Sequence, residues 1–279
     1  MAGRLKIYIL FLLSLLLFVS CSKYYQFDEL YDRGEYLKAY GVLSKIDKTN
    51  NSSYRKRLYR IVIKLSLDGD LDFVQKLSNM INNNEWFDAD VMDYYYFSRG
   101  FLSYVSANNT DDYTEVLSYL SNIAFIPEEF SSYYTRITGI SYYKLGEYQL
   151  SISNLMVSYK KMPYLENLYY AGMSYYNLYN YDKALEYFDD IINSSSDRKL
   201  RSLARYQKGE ILYYRQDFTN AYEEYFSSLN DYSQNPDCSY KIAKCLQKMD
   251  YNKMQLEFLK IALRIDKDYA NAWFMLNAN

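Results

Sequence analysis

Catalysis by this 279-residue chain would have to rest on carboxylate, lysine, tyrosine, serine or cysteine, because it contains no histidine. That excludes histidine-based acid/base triads, zinc sites with histidine ligands and the HExxH type. The acidic pairs Glu128-Glu129, Asp189-Asp190 and Glu223-Glu224 are sequence neighbours. On a helix such neighbours project about 100° apart and do not converge on one substrate, so they read as solvated faces. No GxGxxG or GxxxxGK[ST] phosphate loop occurs, which removes support for nucleotide binding. Cys238 and Cys245 lie seven residues apart in a helical stretch. Two turns separate them by about 10.5 Å, beyond the roughly 7 Å reach of a disulfide, so they are expected to be core thiols. No catalytic residue, metal site or cofactor is expected. What remains is tyrosine, 37 of them, whose flat ring, polar tip and two side-chain torsions suit contact surfaces. A compositional bias toward Tyr, Asn, Ile and Lys would also raise that number without any role in binding.

The elements that must position these rings are legible in three rows of seventeen. They are GISYYKLGEYQLSISNL from Gly139, GMSYYNLYNYDKALEYF from Gly172 and GEILYYRQDFTNAYEEY from Gly209. Each opens on glycine and has an aromatic tenth (Tyr148, Tyr181, Phe218). A small residue stands thirteenth (Ser151, Ala184, Ala221) and a bulky one seventeenth (Leu155, Phe188, Tyr225). This spells two helices and a tight turn, with the glycine letting the second helix approach the first. Gly100 extends the same close-contact place backwards, Gly34, Gly69 and Gly146 mark turns, and Pro127, Pro163 and Pro236 fall between pairs, as helical punctuation requires.

Self-similarity at about 34 residues in this order resembles the tetratricopeptide repeat. The resemblance implies an all-α fold, an α-solenoid of about seven helix-turn-helix units forming a right-handed superhelix. The units are expected at Tyr24 to Asn50, Ser52 to Asn83 and Glu85 to Phe125, then the three rows, then Asp237 to Lys267. The second is degenerate, with Leu71 in the aromatic place and Val74 where a small residue belongs. In the third, the polar insert Ala107 to Asp111 predicts a protruding loop or a broken helix. The seventh keeps the turn Met249-Asp250-Tyr251 and Phe258 but has no glycine in its first helix, and a half-repeat from Asp268 caps the array.

In that family the fifth and twelfth places, counting the close-contact residue as eighth, face a binding groove. Here the twelfth holds Tyr31, Tyr104, Tyr143, Tyr176 and Tyr213, and the fifth holds Tyr24, Phe97, Arg136, Tyr169 and Tyr206. The protein-binding groove is therefore expected at Tyr104, Arg136, Tyr143, Tyr169, Tyr176, Tyr206 and Tyr213, while Tyr142, Tyr148, Tyr175 and Tyr181 occupy core places. A subclass that grips a terminal carboxylate with Lys, Asn and Arg is not matched. The corresponding places carry Arg136 and Ile140, Tyr169 and Met173, then Tyr206 and Glu210. The expected ligand is an extended or helical protein segment, or an apolar small molecule.

The first twenty residues differ in kind. Arg4 and Lys6 precede an apolar run from Ile7 to Val19, about 20 Å as a helix and too short to span a bilayer. This is the proportion of a signal peptide. Phe18-Val19-Ser20-Cys21 resembles a bacterial lipobox, departing from it at Phe18, where leucine is preferred. The resemblance implies lipidation of Cys21, and multiple acyl chains anchor stably where one would not. Lipoproteins with aspartate directly after the cysteine are retained at the inner membrane, so with Ser22 there the resemblance implies export to the outer membrane.

The expected organisation is a leader at 1–20, degenerate units at 21–126, regular units at 127–267 and a capping helix at 268–279. Lys and Arg number 32 against 34 Asp and Glu, interspersed, which argues against nucleic acid as a partner. The expected function is a lipid-anchored adaptor binding proteins in the bacterial envelope. The alternative is an accessory ligand-binding lipoprotein of a transporter.

Overall fold

The computed structural model describes residues 22–46, 52–67 and 89–277, and among them every regular element is helical. The leader, Cys21, Gly69, Leu71 and Val74 lie outside the described residues. The chain divides into two compact units, Met1–Glu128 and Glu129–Asn279.

In the first unit, α1 (22–32) turns back through Gly34 into α2 (Tyr36–Leu43), followed by α3 (Ser52–Leu67), α4 (Ala89–Ser106) and α5 (Thr110–Ser121). Phe27, Ala39, Leu43, Ile61 and Val62 are fully buried at its core. Arg57 holds Asp28 while lying over the rings of Tyr24 and Phe27. The expected loop at 107–111 does not form. Three residues join α4 to α5, as few as in the regular units, because Asn109 and Asp112 build a reciprocal capping box that starts a helix at Thr110. The extra residues are absorbed as helix, about one turn: a Cβ on Gly100 would meet Leu120, whereas Gly139 meets Leu155. Asp93 of α4 then accepts the backbone N–H groups of Ala124 and Phe125 at 2.8 and 3.0 Å, securing the chain after α5.

The second unit holds a short 3-10 turn (Glu128–Phe130 at its border) and nine helices among its described residues. They are α6 (Ser131–Lys144), α7 (Tyr148–Lys161), α8 (Leu165–Asn177), α9 (Tyr181–Ser194), α10 (Arg198–Tyr214), α11 (Phe218–Asp231), α12 (Pro236–Lys248), α13 (Asn252–Ile265) and α14 (Ala270–Asn277). Each packs on the next in chain order, and the first helices α6, α8 and α10 also touch successively, which is the one-dimensional logic of a repeat array. The seventeenth-place residues dock where expected. Phe188 and Tyr225 are fully buried against Gly172 and Gly209, their ring atoms 2.8 and 2.7 Å from where a Cβ would stand. In the last complete pair the docking residue is Leu259, fully buried with Ala243, and not Phe258, which is only partly buried. Counting back seven from the turn residue Asp250 puts Ala243 in the glycine place.

One turn geometry recurs in both units. In α6–α7 the N–H of Gly146 donates to Tyr143 O and that of Glu147 to Tyr142 O, and the same pair of bonds closes the turns at Gly34, Tyr179, Gln216 and Asp250. This is the Schellman ending, which demands a left-handed residue. Gly34 and Gly146 supply it with φ of 77° and 80°, but Tyr179, Gln216 and Asp250 adopt φ of 59°, 63° and 62° with a Cβ present. A left-handed non-glycine residue costs roughly 1–2 kcal/mol, partly offset by the chain entropy glycine loses. Gln216→Gly is therefore expected to raise stability by about 0.5–1 kcal/mol, read as a higher urea midpoint at unchanged slope. An unchanged or lower midpoint would show that the Gln216 side chain compensates its backbone.

Polar clasps that the sequence reading missed join successive pairs. Ser132 on α6 and Ser158 on α7 are buried, their hydroxyls 3.2 Å apart and each donating to the other's carbonyl, and Ser202 on α10 and Ser228 on α11 repeat this at 2.9 Å. The next first helix adds Asn167 to one clasp and Cys238 to the other. The intervening pair has Leu165 and Ile191 at these places. A buried hydroxyl is tolerated only when bonded, so each clasp stands or falls as a pair.

Candidate functional site

The first helices of the second unit bring Arg136, Tyr143, Tyr169, Tyr176, Tyr206 and Tyr213 onto successive neighbouring elements. Each side chain is half-buried, and most reach to the following first helix. Arg136 on α6 pairs with Glu166 on α8 and lies 5.0 Å from the Tyr164 ring centre. Tyr143 sits 5.3 Å from Tyr170 of α8 and 6.0 Å from Tyr148. Tyr169 on α8 lies beside the Gln207 side chain of α10 and leans on Phe188. Tyr206 on α10 donates to Asp237 on α12, which also accepts from Tyr269. Tyr213 packs 5.3 Å from Phe218 and carries the Lys244 ammonium 5.0 Å from its centre. Tyr176 packs on Tyr181, at 5.6 Å.

Burial raises the phenol pKa of Tyr143, Tyr176 and Tyr213 above the ordinary tyrosine value, and pushes Tyr169 up to about 12. For Tyr206 burial acts first and the bond to Asp237 second, in the same direction. All of them stay neutral at physiological pH, so the face presents rings and hydroxyls, not charge. Its charges are mostly compensated internally, Lys241 bonding Glu210 at 2.7 Å and Tyr225 donating to the same carboxylate. Lys244 differs. It is half-buried between Tyr213 and Tyr240 and makes no ion pair among the described residues.

The expected set therefore separates. Tyr104 belongs to the first unit, between Phe101 and Tyr113 at 6.5 Å each. Tyr31 and Phe97, placed in the groove by repeat position, are buried at 5% and 1% exposure and serve the core. Tyr240, missed because its helix lacks the glycine landmark, occupies the fifth place opposite Tyr269 at 5.8 Å. Aligning on the turn at Asp250 would have found it.

Of the acidic pairs, Glu128, Glu129, Asp190 and Glu223 are exposed as expected of solvated faces, and the other two members are drawn into a network. Asp189 and Glu224, from two separate pairs, converge on Lys208 at 2.7 and 3.0 Å, and Glu224 also receives Arg205. Such a network ties α9, α10 and α11 together electrostatically. Cys238 and Cys245 are free and fully buried, and burial raises both thiols, to about 11 and about 12, which makes them inert. A surface cavity of 390 Å³ lies over Asp250, Tyr251, Asn252, Lys253 and Met254 at the α12–α13 turn, apart from the tyrosine-lined helices. Among the described residues no group of acidic or cysteine side chains could hold a metal ion.

Glycine-docked helix pairs, a shared left-handed turn and contacts confined to neighbours define a helical-repeat protein. Residues 166–197 match the tetratricopeptide repeat model, one repeat's length within the second unit. No curated protein matches it in sequence. Among solved structures it is similar to the apo form of the quorum sensor NprR from B. thuringiensis, with a TM-score of 0.71 and 14% identity, over 91% of this chain and 79% of that one. The apo form of RapI gives 0.57 and 15% identity over 90% and 77%. MamA of AMB-1 gives 0.52 and 18% identity over 64% and 93%. At these identities the likeness is one of fold.

Proposed function

We propose that this protein is a lipid-anchored adaptor of the bacterial cell envelope, at the outer membrane, which holds a protein segment against the first-helix face of its second unit. The observation that carries the reading is the run of half-buried tyrosines on α6, α8 and α10, uncharged and aligned on consecutive helices. Neutral phenols on a rigid scaffold offer apolar area and hydrogen bonds at little entropic cost. Lys244, half-buried without a carboxylate among the described residues, favours a segment bringing an acidic side chain to that place. The absence of histidine supports binding over catalysis. Anchoring rests on the resemblance around Cys21, and no observation favours the transporter-associated alternative.

Cross-linking in cells with partner identification tests the face. Tyr143→Ala combined with Tyr176→Ala is expected to lose the captured partner at least about tenfold, as loss of central aromatic contacts does, while retaining helical content. Undiminished capture by the folded variant would remove the aromatic-face reading. For the anchor, Cys21→Ala is expected to release the protein from membranes with loss of acyl label, and membrane retention without label would reject lipidation.

A further inference from the structure

The first unit is electrically lopsided at the end that adjoins the leader. There the start of α1, the end of α2 and the start of α3 converge. The Lys23 ammonium donates to Lys45 O at 2.9 Å, the Arg57 guanidinium lies 4.6 Å from the Tyr24 ring centre, and Tyr24, Tyr40 and Tyr54 pack into one cluster. Among the described residues of this end, 22–27, 43–46 and 52–57, stand Lys23, Lys45, Arg55, Lys56 and Arg57 and no acidic residue. The intervening stretch 47–51 adds one acid and one base, Asp47 and Lys48, and leaves the balance positive. Acidic side chains begin further along α1, at Asp28, Glu29 and Asp32. Arg57 is paired with Asp28, whereas Lys45 and Lys56 are exposed and make no ion pair among the described residues. Tyr25, in the first turn of α1, is 74% exposed.

Covalent continuity says what covers this end. Ser22 is already helical, so Cys21 joins α1 without a linker, its Cα about 3.8 Å from that of Ser22. Acyl chains on Cys21 therefore bring the bilayer surface to the first turn of α1. We infer, resting on the lipidation reading, that this basic end of the first unit docks on anionic lipid headgroups with the Tyr25 ring in the interfacial layer. Basic side chains within a Debye length are drawn to an anionic surface. A tyrosine, apolar in its ring and polar at its tip, suits the boundary between headgroups and acyl chains. An anchor one residue away also leaves no room for a protein partner between this end and the bilayer.

The test reconstitutes the acylated protein into vesicles of phosphatidylcholine with or without phosphatidylglycerol, each holding a nitroxide-headgroup lipid as quencher. Cys238 and Cys245 are fully buried, so a fluorophore placed at Ser53→Cys, in the first turn of α3, or at Leu37→Cys reports one site. Leu37 is exposed at the opposite end of the α1–α2 hairpin, about 15 Å away along α1. The Ser53→Cys label is expected to be quenched in the anionic vesicles and far less in the neutral ones, and the Leu37→Cys label in neither. Lys45→Glu with Lys56→Glu is expected to weaken docking at least about 25-fold, at about fivefold per basic residue. Its helical content should not change, because both side chains are exposed. Absent quenching at Ser53→Cys, equal quenching in neutral vesicles, survival of charge reversal, or equal quenching at Leu37→Cys would each overturn the docking, while acyl label on Cys21 leaves the anchor standing. Protein without acyl label would overturn both.

Discussion

Replacing Gly139 by alanine is expected to destabilise the protein by about 3 kcal/mol, the upper part of the range for overpacking a tight interior. The sign is not the one helix propensity alone would give, since glycine inside a helix is ordinarily worse than alanine by roughly 0.5–1 kcal/mol. Contact reverses it. A Cβ at Gly139 would stand 2.7 Å from Leu155 Cγ and 3.0 Å from the Leu155 backbone N. Leu155 is fully buried, and its backbone nitrogen cannot swing aside as a side-chain tip can. Gly172→Ala should cost less, because only the Phe188 ring lies within 3.2 Å of the new methyl. Gly41, in α2, has nothing within 4 Å of its Cβ position, so Gly41→Ala should gain about 0.5–1 kcal/mol from propensity alone. Urea denaturation of the three variants, followed by circular dichroism, checks the order. A Gly139→Ala protein as stable as the parent would refute the docking described between α6 and α7.

Raising the pH above 10 is expected to abolish the fold before pH 12. Burial lifts the Cys238 thiol to about 11 and the Cys245 thiol and Tyr169 phenol to about 12. Burial also raises Tyr59, Tyr206 and Tyr225, the last two further through their carboxylate neighbours Asp237 and Glu210. A group whose folded pKa is raised contributes fully below its ordinary value and loses that contribution as pH climbs toward the folded one. The unfolded chain therefore releases thiol protons near pH 9 and phenol protons near pH 10, while the native state holds them. Each such group costs about 1.4 kcal/mol per pH unit over that window. The two thiols and four phenols acting together exceed a net stability of order 5–15 kcal/mol. Near-ultraviolet phenolate absorbance should lag and then rise cooperatively with loss of helical signal. Phenolates appearing smoothly near pH 10, with helix intact at pH 12, would show these tyrosines to be solvated. Tyr169→Phe removes one titrating group and should move the transition to higher pH.

The seventh pair shows how far local reading reaches. Its turn is legible, yet without a glycine landmark in the first helix local spacing does not single out Leu259, beside the conspicuous Phe258, as the docking residue, nor Tyr240 as a fifth-place ring. The insert before α5 misled for a related reason: Asn and Asp read as loop formers until their side chains are seen capping a helix.

By itself the sequence determined the helical pairs, their turns and the docking of each seventeenth-place residue on its glycine. Those partners lie within one repeat, where helix geometry converts spacing directly into contact. Only the tertiary structure decided which rings serve which surface. Tyr143, Tyr169 and Tyr206 meet partners on the next first helix, the serines clasp across 26 residues, and Tyr179 and Tyr214 stand in solvent. With 37 tyrosines, residue type cannot distinguish these fates. Contacts between repeats depend on side-chain direction and on the identity of a neighbour about thirty residues away, which no local period encodes.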